Sequence, residues 1–315
     1  MIQDFFVRYY DCRPFPWTWA NKLLGNASKV LAWPAQWFLP QWFRCTPFAE
    51  RYLRLKAEGK VAPVVACLTS FPQRISTVWL VVECLLRQSL PPREIVLYLA
   101  QSQFPNEESV PGELRCYERQ GVLTIHRVDP DIRSHKKYWF AVNQYPDQAL
   151  LTVDDDIIYD SRFVEHLMQC AQRYPHTVSA CYCRPMKWKD GHLLPYSQWG
   201  GQRAVQHQPS RRLFFGSGGG TWFPAGSLKG ADLPVEELCT ICPTADDIWL
   251  NAVIRKNGYG VCAIRGKISV LEWRIPQNVT LHATNNLQGR NDLQLEQVVQ
   301  HFLHHTGRHP FAEPV

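Results

Sequence analysis

From Val61 onward, short apolar runs alternate with helical patterns, and that alternation confines the chain to βα units around a mainly parallel sheet. Val61–Thr69, Glu94–Ala100, Leu123–Val128, Ala149–Val153, Val178–Cys183 and Val261–Arg265 read as strands. Between them lie a helix opened by Ser76 with Val78, Trp79, Val82, Leu85 and Leu86 on one face, and shorter patterns at Tyr138–Tyr145 and from Ser161 to about Tyr174. Thr244 is placed to cap a helix over Ala245–Lys256, and Asn291–His305 reads as a last helix. Lys187–Leu228 is rich in Gly, Trp and Pro with little periodicity, so it reads as a long ordered loop of functional kind.

The fourth strand runs straight into Asp154-Asp155-Asp156. An open α/β sheet binds its ligands beyond the carboxyl ends of its strands, so the acidic run stands where chemistry is expected. Three adjacent carboxylates repel one another unless a cation is present. In an extended chain Asp154 and Asp156 point the same way, as a pair holding Mn²⁺ or Mg²⁺ does, while Asp155 points away, toward a donor ribose or a basic neighbour. A D-x-D triplet also arises by chance in solvated turns.

Composition narrows the class. The 45% apolar and 20% charged residues exclude disordered, collagen-like and disulfide-dense chains. Eleven cysteines, several within apolar runs (Cys67, Cys84, Cys170, Cys262), read as free thiols of a reduced, cytoplasmic protein. No run approaches the roughly 20 apolar residues that cross a bilayer, and the start lacks a signal-peptide pattern. Residues 1–60 form a separate aromatic and basic extension ahead of a 61–315 domain. They hold nine Lys and Arg against four Asp and Glu, with Trp17, Trp19, Trp33, Trp37 and Trp42 among the rings. Such a segment suits peripheral contact with the cytoplasmic face of a membrane, or equally packs across the back of the domain. The rest is nearly balanced in charge and carries no basic stripe, so nucleic acid is not an expected partner.

The remaining motifs are Leu68-Thr69-Ser70-Phe71-Pro72 with Arg74-Ile75, Lys136-Lys137, Tyr145-Pro146-Asp147, Thr152-Val153-Asp154-Asp155-Asp156-Ile157 with Tyr159, Gly216-x-Gly218-Gly219, and Ala245-Asp246-Asp247-Ile248-Trp249-Leu250. In this order, over about residues 61–295, the chain resembles bacterial GT-A-fold glycosyltransferases related to family 2 enzymes of cell-surface polysaccharide biosynthesis. The resemblance does not extend to residues 1–60.

It implies a GT-A (Rossmann-like) α/β fold with a mixed, mainly parallel sheet flanked by helices. It also implies a nucleotide-sugar donor, with a UDP-sugar favoured, and a glycan or lipid-linked acceptor. Thr69, Ser70, Arg74, Lys137, Asp154 and Asp155 would serve the donor, and Gly218, Gly219 and Trp222 would lie beside the acceptor. Asp154 and Asp156 would hold the metal, with His282 completing its shell. Asp247, or else Asp246, would deprotonate the acceptor hydroxyl, which implies inversion at the anomeric carbon. Departures matter too: no Gln-x-x-Arg-Trp is present, which disfavours a processive synthase. Two other readings stay open. One is a sugar nucleotidyltransferase, although Thr69–Ile75 lacks the glycines that grip a triphosphate; the other is a non-catalytic carbohydrate- or membrane-binding protein.

Overall fold

The computed structural model describes residues 3–4, 37–201, 207–264, 271–272 and 290–314. In chain order the elements are α1 (Ala49–Ala57), β1 (Ala62–Thr69), α2 (Val78–Leu86), β2 (Pro92–Ala100), α3 (Gly112–Arg119), β3 (Thr124–Val128), α4 (Lys136–Trp139), α5 (Ala141–Gln144) and β4 (Ala149–Thr152). There follow β5 (Ile157–Ile158), α6 (Phe163–Arg173), β6 (Thr177–Ala180), β7 (Cys183–Pro185), β8 (Trp188–Lys189), β9 (His192–Leu193), β10 (Leu213–Phe215) and β11 (Thr221–Phe223). The chain ends through α7 (Val235–Ile241), α8 (Asp246–Lys256), β12 (Gly260–Ala263), β13 (Leu271–Glu272) and α9 (Arg290–Thr306).

Seven strands form one α/β sheet in the order β12-β6-β11-β4-β1-β2-β3, and only β11 runs antiparallel to its neighbours. Strands buried on both faces need continuous apolar sequence, and β1 supplies it: Val64 through Leu68 are fully buried. One core layer packs α2 and α6 against the sheet, and the other packs α4, α8 and α9. The chain leaves β1 toward β2 and β3, then returns to the other side of β1 as β4. The order therefore reverses between β1 and β4, the switch point beyond which such sheets bind ligands.

The structure corrects several boundaries. The pattern at 138–145 is two four-residue helical turns beginning at Lys136. The stretch 187–228 is more regular than expected: β7 pairs β10, β8 pairs β9, and β11 is inserted into the main sheet between β4 and β6. Helix α7 was not anticipated. The three expected caps also differ, since Thr77, Arg162 and Ala245 occupy the N-cap positions and none makes a side-chain cap. Ser161 instead donates to Asp4 (2.8 Å), and the backbone just ahead of α8 is held by Gln294 of α9.

Most of residues 1–36, with Trp17, Trp19 and Trp33 of the expected membrane-contacting segment, lie outside the described residues. The helical stretch 37–45 and α1 do pack on the domain, with Leu39, Phe43 and Tyr52 buried. The Arg87 guanidinium lies 4.3 Å from the ring centres of both Phe43 and Phe48 and bonds buried Glu83 at 2.8 Å. Trp37 and Trp42 are exposed on this segment. No described helix is long and apolar enough to cross a membrane. The described cysteines are all free, including Cys181, Cys183, Cys239 and Cys242.

Candidate active site

Parallel pairing of β1 with β4 brings two loops together: Ser70 to Arg74 after β1, and Asp154 to Asp156 after β4. The acidic run is not extended as expected, because the backbone turns at 155–156. That turn delivers Asp155 and Asp156 to one cation: Arg74 Nη1 lies 3.0 Å from Asp155 Oδ1 and 2.7 Å from Asp156 Oδ2. Ser70 Oγ donates to Asp155 Oδ2 at 2.6 Å. Asp155 thus faces a basic neighbour, and burial pushes its carboxyl up while Arg74 and Ser70 oppose that push. For Arg74, burial works against the charge but Asp156 and Asp155 outweigh it, so its pKa is raised.

Asp154 turns the other way, to Lys137. The Lys137 ammonium is buried 3.2 Å from Asp154 Oδ1 and 3.0 Å from Asp246 Oδ2, so one cation joins the strand end to the start of α8. Burial alone would lower its pKa; the two carboxylates outweigh it and raise it. Lys136 points elsewhere and pairs with Asp131.

The glycine-rich loop ahead of β11 closes over Asp154. Asp154 N–H donates to Gly218 O (3.0 Å) and to the Tyr159 hydroxyl (3.0 Å), which in turn donates to Gly218 O (2.8 Å). A Cβ at Gly218 would overlap the Asp154 carboxylate, so only glycine permits this approach. Gly220, with φ +99°, makes the left-handed turn into β11. Gly219 lies against Tyr182. Trp222, expected beside an acceptor, sits within β11 with its ring in the core and 4% exposed. Thr69 spends its hydroxyl on Tyr98 O at 2.7 Å.

Asp246 and Asp247 open α8, where the helix dipole favours negative charge. Their environments nevertheless differ. Burial raises the Asp246 carboxyl, but the Lys137 charge and a hydrogen bond from Ser217 overcome it and hold the pKa below the usual value. Asp247 is pushed up to about 7 by burial and then by the charge of Asp246, with Lys137 only partly offsetting them. His135 is buried between the Tyr138 hydroxyl and Cys242 O, each at 2.7 Å, and burial lowers it to about 4, so it is neutral.

Three supporting residues are not among the expected site residues, although Tyr159 belongs to a motif singled out in the sequence. Ser217 bonds Asp246, Tyr159 bonds the Gly218 carbonyl, and Gln294 of α9 holds the backbone just ahead of α8. Gln294 Oε1 accepts from Thr244 N (2.9 Å) and Ala245 N (3.1 Å). A 50-residue separation hides that contact from any local pattern. His282, the expected third metal ligand, lies outside the described residues.

Asp154 and Asp156, expected to point the same way, are paired with different cations, Lys137 and Arg74; their carboxylate oxygens are donors of the kind a hard divalent cation takes, and the Asp154 side chain is 41% exposed.

Neither protein-family models nor curated protein sequences match the chain. Among solved structures, it is similar to S. aureus TarS 1-349 in complex with UDP: 12% identity and TM-score 0.45, covering 81% of this chain and 67% of that one. A longer S. aureus TarS structure matches at 12% identity and TM-score 0.47, and this chain spans 41% of its length. The mannosyltransferase PcManGT from Pyrobaculum calidifontis, in complex with GDP-Man and Mn²⁺, matches at 15% identity and TM-score 0.48, over 90% of this chain and 77% of that one. Likeness at this level carries no argument about chemistry, so the functional case rests on this chain's own side chains.

Proposed function

We propose that this chain is a metal-dependent, inverting glycosyltransferase that moves a sugar from a nucleotide donor, a UDP-sugar by preference, to a glycan or lipid-linked acceptor of surface polysaccharide synthesis. The observation that carries the reading is the union of two carboxylate groups at one sheet edge, joined by Lys137, with Asp247 in the second group pushed up to about 7. A transferase needs two such groups. One faces the departing diphosphate, and one accepts a proton from the attacking hydroxyl.

Asp154 and Asp156 would hold Mn²⁺ or Mg²⁺. Bound there, the cation would act as a Lewis acid on the diphosphate oxygens. Asp155, braced by Ser70 and Arg74, fixes the turn that presents its two neighbours. Lys137 acts as a positioning residue between the two halves of the site. Asp247, once ionised, takes the acceptor hydroxyl proton as the oxygen attacks the anomeric carbon, and Asp246 keeps its own charge on Lys137 and Ser217. Single displacement with one base gives inversion. The glycine loop at 216–220 borders the space left for the acceptor. A cytoplasmic location, with the aromatic segment and exposed Trp37 and Trp42 against a membrane, is consistent with a lipid-linked acceptor.

The test is calorimetric titration of the purified chain with UDP and with GDP, each with and without Mn²⁺, beside Asp156→Ala. Metal-dependent binding of one nucleotide, lost in the variant, is the expected result. Absence of binding under every condition would remove the donor site and with it the transferase reading.

A further inference from the structure

A second group of metal-ligating side chains stands apart from the sheet edge. Glu237 on α7 and His301 and His305 on α9 bring one ligand atom each to within 4.8 Å of one another. His301 and His305 are four residues apart on a helix and so share a face. Their ring centres are 4.2 Å apart. His305 Nδ1 lies 2.9 Å from the carbonyl of His301, so Nδ1 carries the proton and Nε2 offers its lone pair outward. This is how a carbonyl orients an imidazole that binds a metal. His301 is fixed by edge contact with Trp249 (5.5 Å) and lies 3.1 Å from Glu237 Oε1.

We propose that Glu237, His301 and His305 form a binding site for a divalent transition metal of the zinc class. Two imidazoles and a carboxylate are borderline donors that suit Zn²⁺ better than Mn²⁺ or Mg²⁺, and three protein ligands leave a position for water. The Lys256 ammonium near His301 opposes a cation and limits its affinity, and His304 is the further titratable neighbour. The site bridges α7 and α9. On the same helix, two turns before His301, Gln294 accepts from the backbone N–H groups of Thr244 and Ala245, which lead into Asp246 and Asp247. Zinc bound here therefore clamps the helix that sets the start of α8. The inference does not depend on the transferase reading.

The test is titration of the untagged, reduced protein with Zn²⁺ alone, followed by calorimetry and by the thermal midpoint. One equivalent is expected, with a raised midpoint, and Asp156→Ala should bind it unchanged. His305→Ala, at an exposed position, keeps the fold and should weaken binding beyond the roughly 10–100-fold cost of losing an outer-shell partner. Glu237→Gln should weaken it as well. No zinc binding by the native chain would overturn the proposal, as would binding undiminished in His305→Ala, or binding lost in Asp156→Ala.

Discussion

The two acidic groups at the sheet edge are made of the same residue and meet through the same lysine, yet they are electrostatically opposite. At the end of β4 the three carboxylates share Arg74 and Lys137, and Asp155 has Ser70 as well. At the start of α8, Asp246 takes the contacts from Lys137 and Ser217, and Asp247 faces an anionic neighbour across a single peptide unit. The densely paired cluster gives each carboxylate a cationic partner. An unevenly paired one separates two carboxyls into a fixed anion and a group that exchanges its proton near neutrality, which is what a general base requires.

The sharpest way to break that contrast is Asp247→Asn. A base contributes about 10²–10⁴-fold, so turnover should fall by that factor, while Asp246→Asn should act through Lys137 placement and lower thermal stability as well. The pH profile separates the two. Activity needs ionised Asp247, so kcat/KM of the native enzyme should rise with pH through about 7, a limb that belongs to the coupled pair. Stability has the opposite sign. Because the folded carboxyl lies above its unfolded value of 3.8, the folded state binds the extra proton between the two. Its contribution is present below about 4 and is lost as pH rises toward 7. Asp247→Asn should flatten that part of the stability curve, measured by denaturant unfolding. An unchanged curve and unchanged turnover would assign the base elsewhere.

Lys137→Met should come next. It leaves buried Asp246 without its cation and half-exposed Asp154 without its ammonium partner, and breaking the buried Lys137–Asp246 pair costs about 3–5 kcal/mol. If both acidic groups are held by this one ammonium, the double variant Lys137→Met/Asp246→Asn should recover much of the loss. Purely additive effects would mean that the groups are independent.

How much of this was legible beforehand follows from which forces are local. The strand-to-carboxylate junction at Val153-Asp154 and the double aspartate before Ile248 are written in adjacent residues, and both sit where the strand and helix patterns put them. The antiparallel β11 was not legible: Thr221, Trp222 and Phe223 are too few to show a period, and only pairing with Ala180 and Thr152 makes them a strand. Trp222 was read as a loop residue for the same reason. Arg74 and Ser70 were visible as polar residues of a turn, but their partner Asp155 lies over 80 residues away, as Gln294 lies 50 from Thr244. Composition marks such residues only as polar; chain topology decides whom they meet.

Gly218→Ala perturbs the strand end without changing any charge. The added methyl must displace the Asp154 carboxylate or lift the loop, and misplacement by about 1 Å costs on the order of 10²-fold in rate. Metal-dependent nucleotide binding should weaken in parallel while the unfolding midpoint moves little. A variant that binds and turns over normally would show that Asp154 is not held at its working position by this loop.

Ser70→Ala should have the smallest effect and be the most informative about Asp155. The serine donates one hydrogen bond to a buried carboxylate, worth about 1.5–3 kcal/mol when the acceptor is charged. If Asp155 serves only to brace the turn, that loss should appear in thermal stability, with kcat retained and KM for the donor raised slightly as the turn loosens. A drop in kcat with stability unchanged would instead give Asp155 a direct place among the groups that contact the donor. The distinction is measurable because Arg74 remains to hold Asp155 and Asp156 together, so the variant removes one support from the densely paired cluster and leaves its charge count intact.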